Sequence, residues 1–213
     1  MKLVLLDWTG GLNPIHPDKV MRGLDFSAFQ TVDGGSLADA AERFQEDVRA
    51  KVSRIFCDDP ELSVVVQNGE DTAFTADTVV HLTQETPPNG GTDIGEGEYD
   101  PCDRQNDNAA LVYGERLRQL SGPYGYEEWV NVFANVCAHE VGHTLGFGHV
   151  ERTAQPDIAR SLYVELMLDR HTMAEMRREQ RLVVEQTNCA AELLSSRAIS
   201  VDAYPTAGHD AQP

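Results

Sequence analysis

Apolar residues at Leu37, Ala41, Phe44, Val48, Val52 and Ile55 recur at steps of three and four, the spacing that lines one face of an α-helix. Ser36-Leu37-Ala38-Asp39 has the form of a capping box, in which the Ser and Asp side chains satisfy N–H groups at a helix start. The pattern predicts an amphipathic helix reaching about Cys57. Leu3 to Leu6, Leu62 to Gln67, Thr78 to Leu82 and Ala109 to Tyr113 are short apolar or β-branched runs and predict strands. A second long helix is predicted from near Tyr126, after the turn residues Gly122, Pro123 and Gly125, to Gly146. Thr172-Met173-Ala174-Glu175 is another capping box and introduces a closing helix from about Met173 to Gln186. From Ser195 the small, proline-containing sequence reads as a flexible tail.

Between the last two strand runs, residues 88 to 108 are rich in glycine, acids and amides. Gly95-Glu96-Gly97-Glu98-Tyr99-Asp100 offers oxygen ligands of the kind Ca²⁺ takes, without the EF-hand spacing. A solvated surface loop is the simpler expectation.

The long helix from Tyr126 carries the chemistry. Residues 139 to 149 read His-Glu-Val-Gly-His-Thr-Leu-Gly-Phe-Gly-His. His139 and His143 are one helical turn apart and share a face, which Val132 and Val136 extend toward the amino terminus. Gly146 permits a left-handed exit from the helix, and the turn can carry His149 back as a third ligand. Three imidazoles around Zn²⁺ leave a fourth position for water, the arrangement of a catalytic rather than a structural site. Water held there has its pKa lowered to about 7, and Glu140 is placed to take its proton. A chain of this length matches the five fixed positions by chance with a probability on the order of 10⁻⁵.

This run resembles the signature of the metzincin clan of zinc metallopeptidases. The resemblance implies that His139, His143 and His149 bind one Zn²⁺, that Glu140 is the general base, and that the reaction is hydrolysis of a peptide or protein substrate. It also implies an α+β fold: a small mixed twisted sheet with an active-site helix, then a smaller, mostly helical carboxy-terminal subdomain with a methionine turn. The order strand, helix, strand, strand, zinc helix fits that plan. A single catalytic domain over 1–194 is expected, divided at about residue 146, with 195–213 as the tail. Met167, 18 residues after His149, is the expected turn methionine, and Met173 is its competitor. By the same resemblance Ala109, Ala110, Leu111, Val112 and Tyr113 form the strand that edges the cleft and pairs with substrate. Val150, after the third histidine, matches none of the residues that mark astacins, adamalysins, serralysins or matrixins, and Asp169, two residues past Met167, is not the tyrosine that astacins and serralysins carry there, so the clan is indicated without a family.

Composition narrows the partners. The formal charge of −18, with 35 acidic residues spread from Asp7 to Asp210, repels phosphate backbones and argues against nucleic acid. No run approaches the roughly 18 apolar residues of a membrane span, and Asp7 ends the first apolar stretch too early for a signal peptide. Cys57, Cys102, Cys137 and Cys189 are widely spaced and form no Cys-x-x-Cys pair; Cys137, on the apolar zinc helix, is expected to be a buried thiol. Two other functions share these features: a zinc-stabilised binding or toxin-like module without turnover, and a metal-dependent hydrolase of a non-peptide amide.

Overall fold

A computed structural model describes residues 2–57, 64–69, 76–100, 107–120, 124–149, 165–167 and 176–178. Strand β1 (Lys2–Asp7) leads into a hairpin, β2 (Gly10–Leu12) with β3 (Val20–Arg22), and then to helix α1 (Ala41–Cys57). Next come β4 (Val64–Asn68), β5 (Thr78–Thr83), β6 (Gly95–Gly97) and β7 (Asn108–Tyr113), followed by α2 (Gly114–Leu120) and α3 (Tyr126–Thr144). The main sheet has the order β4-β1-β5-β7-β6. Its first three pairings are parallel, and β6 runs antiparallel to β7. The fold is therefore mixed α/β, with a mostly parallel sheet closed at one edge by a short antiparallel strand.

Parallel strands demand cover on both faces, because helical crossovers pack against them. Val4, Leu6, Val66, Val80, Leu82, Ala110 and Val112 point to the helix side and join one core with Phe44, Val48 and Val52 of α1 and Phe133, Val136 and Val141 of α3. On the opposite face Leu111 and Tyr113 meet Met21 of β3 and Ile15 from the hairpin loop. All six β7 residues are buried as a result. Edge-on aromatic contacts tie α1 to α3, with Phe44 and Phe133 ring centroids 5.4 Å apart.

The capping box at Ser36 forms, with Ser36 Oγ accepting from Ala38 N–H at 3.2 Å and Asp39 from Ser36 N–H at 3.1 Å. It opens a 3₁₀ turn, Leu37–Ala40, before the α-helix proper begins at Ala41. Two expectations need correction. The stretch from Gly95 is not a loop throughout, since Gly95–Gly97 is strand β6. Consequently Ala109, Ala110, Leu111, Val112 and Tyr113 do not edge the sheet: β5 occupies one side of β7, and residues 94–98 occupy the other through the β6 ladder, Tyr113 N–H to Ile94 O at 2.9 Å and Glu98 N–H to Ala109 O at 3.0 Å. The substrate-edge role falls away from β7 because its backbone groups are spent inside the sheet.

No described helix is long and apolar enough to cross a membrane. The expected carboxy-terminal subdomain, its helix from Met173 to Gln186 and the tail from Ser195 lie outside the described residues, apart from 147–149, 165–167 and 176–178.

Candidate metal centre

Helix α3 is buried nearly all round, as its apolar composition requires. Glu128 Oε2 accepts from Gly125 N–H at 2.9 Å to close its start, and Glu127 and Glu128 complement the positive end of the helix dipole. Its other end is a Schellman turn: Phe147 N–H reaches Gly142 O and Gly146 N–H reaches His143 O, both at 2.9 Å, with Gly146 at φ 88°. Glycine is needed there for that left-handed angle. The turn brings His149 back over the helix.

The three predicted ligands converge. Their Nε2 atoms form a nearly equilateral triangle, 3.2 Å from His139 to His143 and 3.1 Å from His149 to each. Nitrogens about 2.0–2.1 Å from a tetrahedral Zn²⁺ stand about 3.3–3.4 Å from one another, so the triangle fits such an ion. Among the described residues these three are the group able to hold a metal. The acids that could offer oxygens to Ca²⁺ bond within the protein: Glu96 Oε2 accepts from Tyr113 Oη at 2.7 Å, Glu98 Oε2 from Ala109 N–H at 2.8 Å, and Asp100 Oδ2 from Asn108 Nδ2 at 3.2 Å.

Ring orientation is set behind the ligands. His143 Nδ1 donates to Phe147 O at 2.8 Å, and His139 Nδ1 donates to Leu166 O. A carbonyl can only accept, so both rings must carry a proton on Nδ1 and, while neutral, present a bare lone pair from Nε2. Lone pairs facing one another at 3.2 Å repel unless a cation lies between them. Such carbonyl partners fix the tautomer and orientation of metal-binding histidines.

Leu166 belongs to a 3₁₀ turn, Glu165–Met167. Met167 is buried, and its Sδ lies where a Cβ on Gly142 would come within 2.5 Å of it. Met167 thus packs against the helical turn between His139 and His143; Met173 lies outside the described residues.

Glu140 stands outside the nitrogen triangle, 4% exposed, facing β6. A Cβ on Gly95 would lie 2.3 Å from Glu140 Oε1, and one on Gly97 would lie 2.8 Å from the Glu140 carbonyl oxygen and 3.3 Å from His143 Cβ. Tyr99, two residues past the strand, has its ring edge-on to His143 at 6.4 Å between centroids. Cys137 is a buried free thiol, pushed up from its ordinary pKa by burial and then by the nearby charge of Glu140.

Two features escaped the sequence reading. Gly95 and Gly97 line the site, and the signal was there in the two-residue alternation Gly-Glu-Gly-Glu-Tyr. The second is a polar stripe on a buried helix, Asn131, Asn135, His139, His143, at steps of four. All four donate to carbonyls: Asn131 Nδ2 to Arg177 O at 2.7 Å, Asn135 Nδ2 to Met176 O at 2.8 Å and Arg178 O at 2.7 Å, and the histidines as above.

No family model matches the chain, and no curated protein matches it. Among solved structures the chain is similar to archaemetzincin from Methanopyrus kandleri, with 18% identity over 92% of this chain and 93% of that one and a TM-score of 0.47.

Proposed function

We propose that this chain is a zinc-dependent hydrolase of peptide bonds, with His139, His143 and His149 holding the ion and Glu140 acting as general base. The observation that carries the reading is the set of three converging Nε2 atoms, two of them compelled to offer lone pairs, with a non-ligating carboxylate on the same helical turn. A bound Zn²⁺ supplies Lewis acidity, drawing electron density from a scissile carbonyl and from attacking water. Glu140 accepts the proton that water releases and delivers it to the departing amine. Met167 supports the ligand turn from below, in the role the metzincin resemblance implies.

The extended peptide is held by β6 rather than β7. In an antiparallel ladder, alternate residues turn their N–H and C=O groups away from the partner strand. Ile94 and Glu98 bond to β7, so Gly95 and Gly97 direct theirs to the outer edge, where no described strand pairs with them. A substrate strand added there would run past Glu140 and the histidines, as in other cases of β-strand addition.

The test is digestion of a mixed peptide library by the zinc-loaded chain, with Glu140→Ala as the control. Cleavage that disappears with the substitution while zinc is retained is expected. Cleavage that survives it would remove Glu140 from the base role, and no cleavage by the loaded chain would leave the non-catalytic or non-peptide alternatives.

A further inference from the structure

Glycine is a poor strand former, since it sacrifices the most backbone freedom and packs nothing. Neither Gly95 nor Gly97 has the left-handed φ that only glycine adopts with ease. Their conformations suit any residue, so what they supply is space. That space is filled by one side chain: a Cβ on Gly95 would sit 2.3, 2.7 and 2.8 Å from Oε1, Cδ and Cγ of Glu140. Gly97 also meets Glu140, at 3.2 Å from Oε2, but its nearest neighbour is the Glu140 carbonyl oxygen at 2.8 Å.

We infer that Gly95 is a positioning residue for Glu140: its bare Cα forms the floor on which the whole length of that side chain rests, and strand β6 thereby places the general base. The inference rests on the reading of Glu140 above. It adds that one pair of residues locates both partners of the proton transfer, since Gly95 and Gly97 hold the carboxylate on their inner face and present the main-chain groups that would bind substrate at their outer edge. Base and scissile bond are then registered against the same short strand.

The two glycines differ in what a methyl group would strike. At Gly95 the three nearest atoms are all side chain, and a displacement of roughly 1 Å relieves the contact by moving the carboxylate; misplacement on that scale costs about 10²-fold in rate. At Gly97 the obstacle is helix backbone, so the strand itself must lift from the turn that bears His143. Gly95→Ala should therefore strike turnover and spare the metal, whereas Gly97→Ala should weaken zinc binding and lower the unfolding midpoint together.

The experiment combines a stability cycle with kinetics. Urea midpoints are measured for Gly95→Ala and Gly97→Ala in wild-type, Glu140→Ala and Glu140→Gln backgrounds, with zinc affinity by chelator competition. Glu140→Ser replaces Glu140→Ala if the latter fails to fold. The midpoint loss caused by Gly95→Ala should vanish when Glu140 is truncated and persist with the equally bulky Gln, while the loss caused by Gly97→Ala should persist in all three. On a fluorogenic peptide carrying the bond most readily cut in the library, kcat of Gly95→Ala should fall about 10²-fold with zinc affinity unchanged. An additive stability cycle at Gly95, or wild-type kcat in Gly95→Ala, would overturn the inference. Coupling in the cycle with no turnover by the wild-type chain would keep the contact and remove the peptidase reading instead.

Discussion

His139 and His143 confront each other across 3.2 Å through their Nε2 atoms, while the Nδ1–H of each ring donates to a backbone carbonyl. Two neutral rings so held turn their Nε2 lone pairs toward each other, a repulsion that a cation among the rings would relieve. Zinc should raise the midpoint of thermal unfolding, by about 2.7 kcal/mol of stability when free ion is a hundred times its dissociation constant. Chelation should reverse the gain, and His149→Ala should remove most of it. Identical melting curves with zinc and with chelator would count against the three-histidine site.

Met167 and Gly142 form a second pairing that a single methyl group tests. Alanine is favoured over glycine inside a helix by about 1 kcal/mol, so Gly142→Ala should stabilise α3 if nothing lay against it. Here the new Cβ would lie 2.5 Å from Sδ and 3.1 Å from Cε of Met167. Overpacking of this kind costs about 1–3 kcal/mol, and Gly142→Ala should be destabilising by that amount in urea unfolding. Met167→Ala should make the same substitution harmless; a neutral Gly142→Ala in the wild-type background would show that the methionine does not press on the ligand turn.

The histidine run and its helix were legible because their information is local. His139 and His143 declare themselves by spacing, Gly146 by the exit it permits, and the box at Ser36 by residues three apart. Strand β6 was not legible, because Gly95-Glu96-Gly97 contains no β-branched or aromatic residue and becomes a strand only by pairing with Ala110, Leu111 and Val112 and resting on α3. Once β6 is present, Ala109 to Tyr113 becomes interior; its unbroken burial, rather than alternation, was the mark of a strand covered on both faces. The Leu166 carbonyl behind His139 lies 27 residues downstream, and no local pattern announces such a partner.

Tyr113 anchors β6 from the face opposite the three histidines. Its Oη donates to Glu96 Oε2 at 2.7 Å, and His16 Nε2 lies 3.1 Å from the same oxygen. Burial, then the Glu96 carboxylate, drive the Tyr113 phenol far above its ordinary pKa, so it remains a donor at any working pH. Tyr113→Phe keeps the packing and removes this bond. It should cost about 1–3 kcal/mol and speed amide exchange at Gly95 and Gly97 relative to the rest of the sheet. Unchanged exchange at those two amides would mean that the strand is held by its ladder and by α3 alone.

Asp7 and His81 make a buried pair at the centre of the sheet, 3.2 Å between Oδ2 and Nδ1, and Asp7 Oδ1 also accepts from Thr9 N–H at 2.9 Å and Thr9 Oγ1 at 2.7 Å. Burial by itself would raise the Asp7 carboxyl; the bonds from His81 and Thr9 outweigh it and hold the group below its ordinary 3.8. A folded-state pKa depressed in this way stabilises the fold fully above the unfolded value, and that contribution is lost as pH falls through the folded value. Asp7→Asn keeps the shape and the contacts to Thr9 while removing the charge. It should be less stable than wild type by about 1–3 kcal/mol near neutral pH, and the gap should narrow as pH drops below 3.8 and through the lower folded value, where the carboxyl takes up its proton first in the unfolded and then in the folded chain. Urea midpoints of the two proteins across that range measure the gap directly. A difference that stays constant down to about pH 2 would assign the loss to shape rather than to the ionised carboxylate.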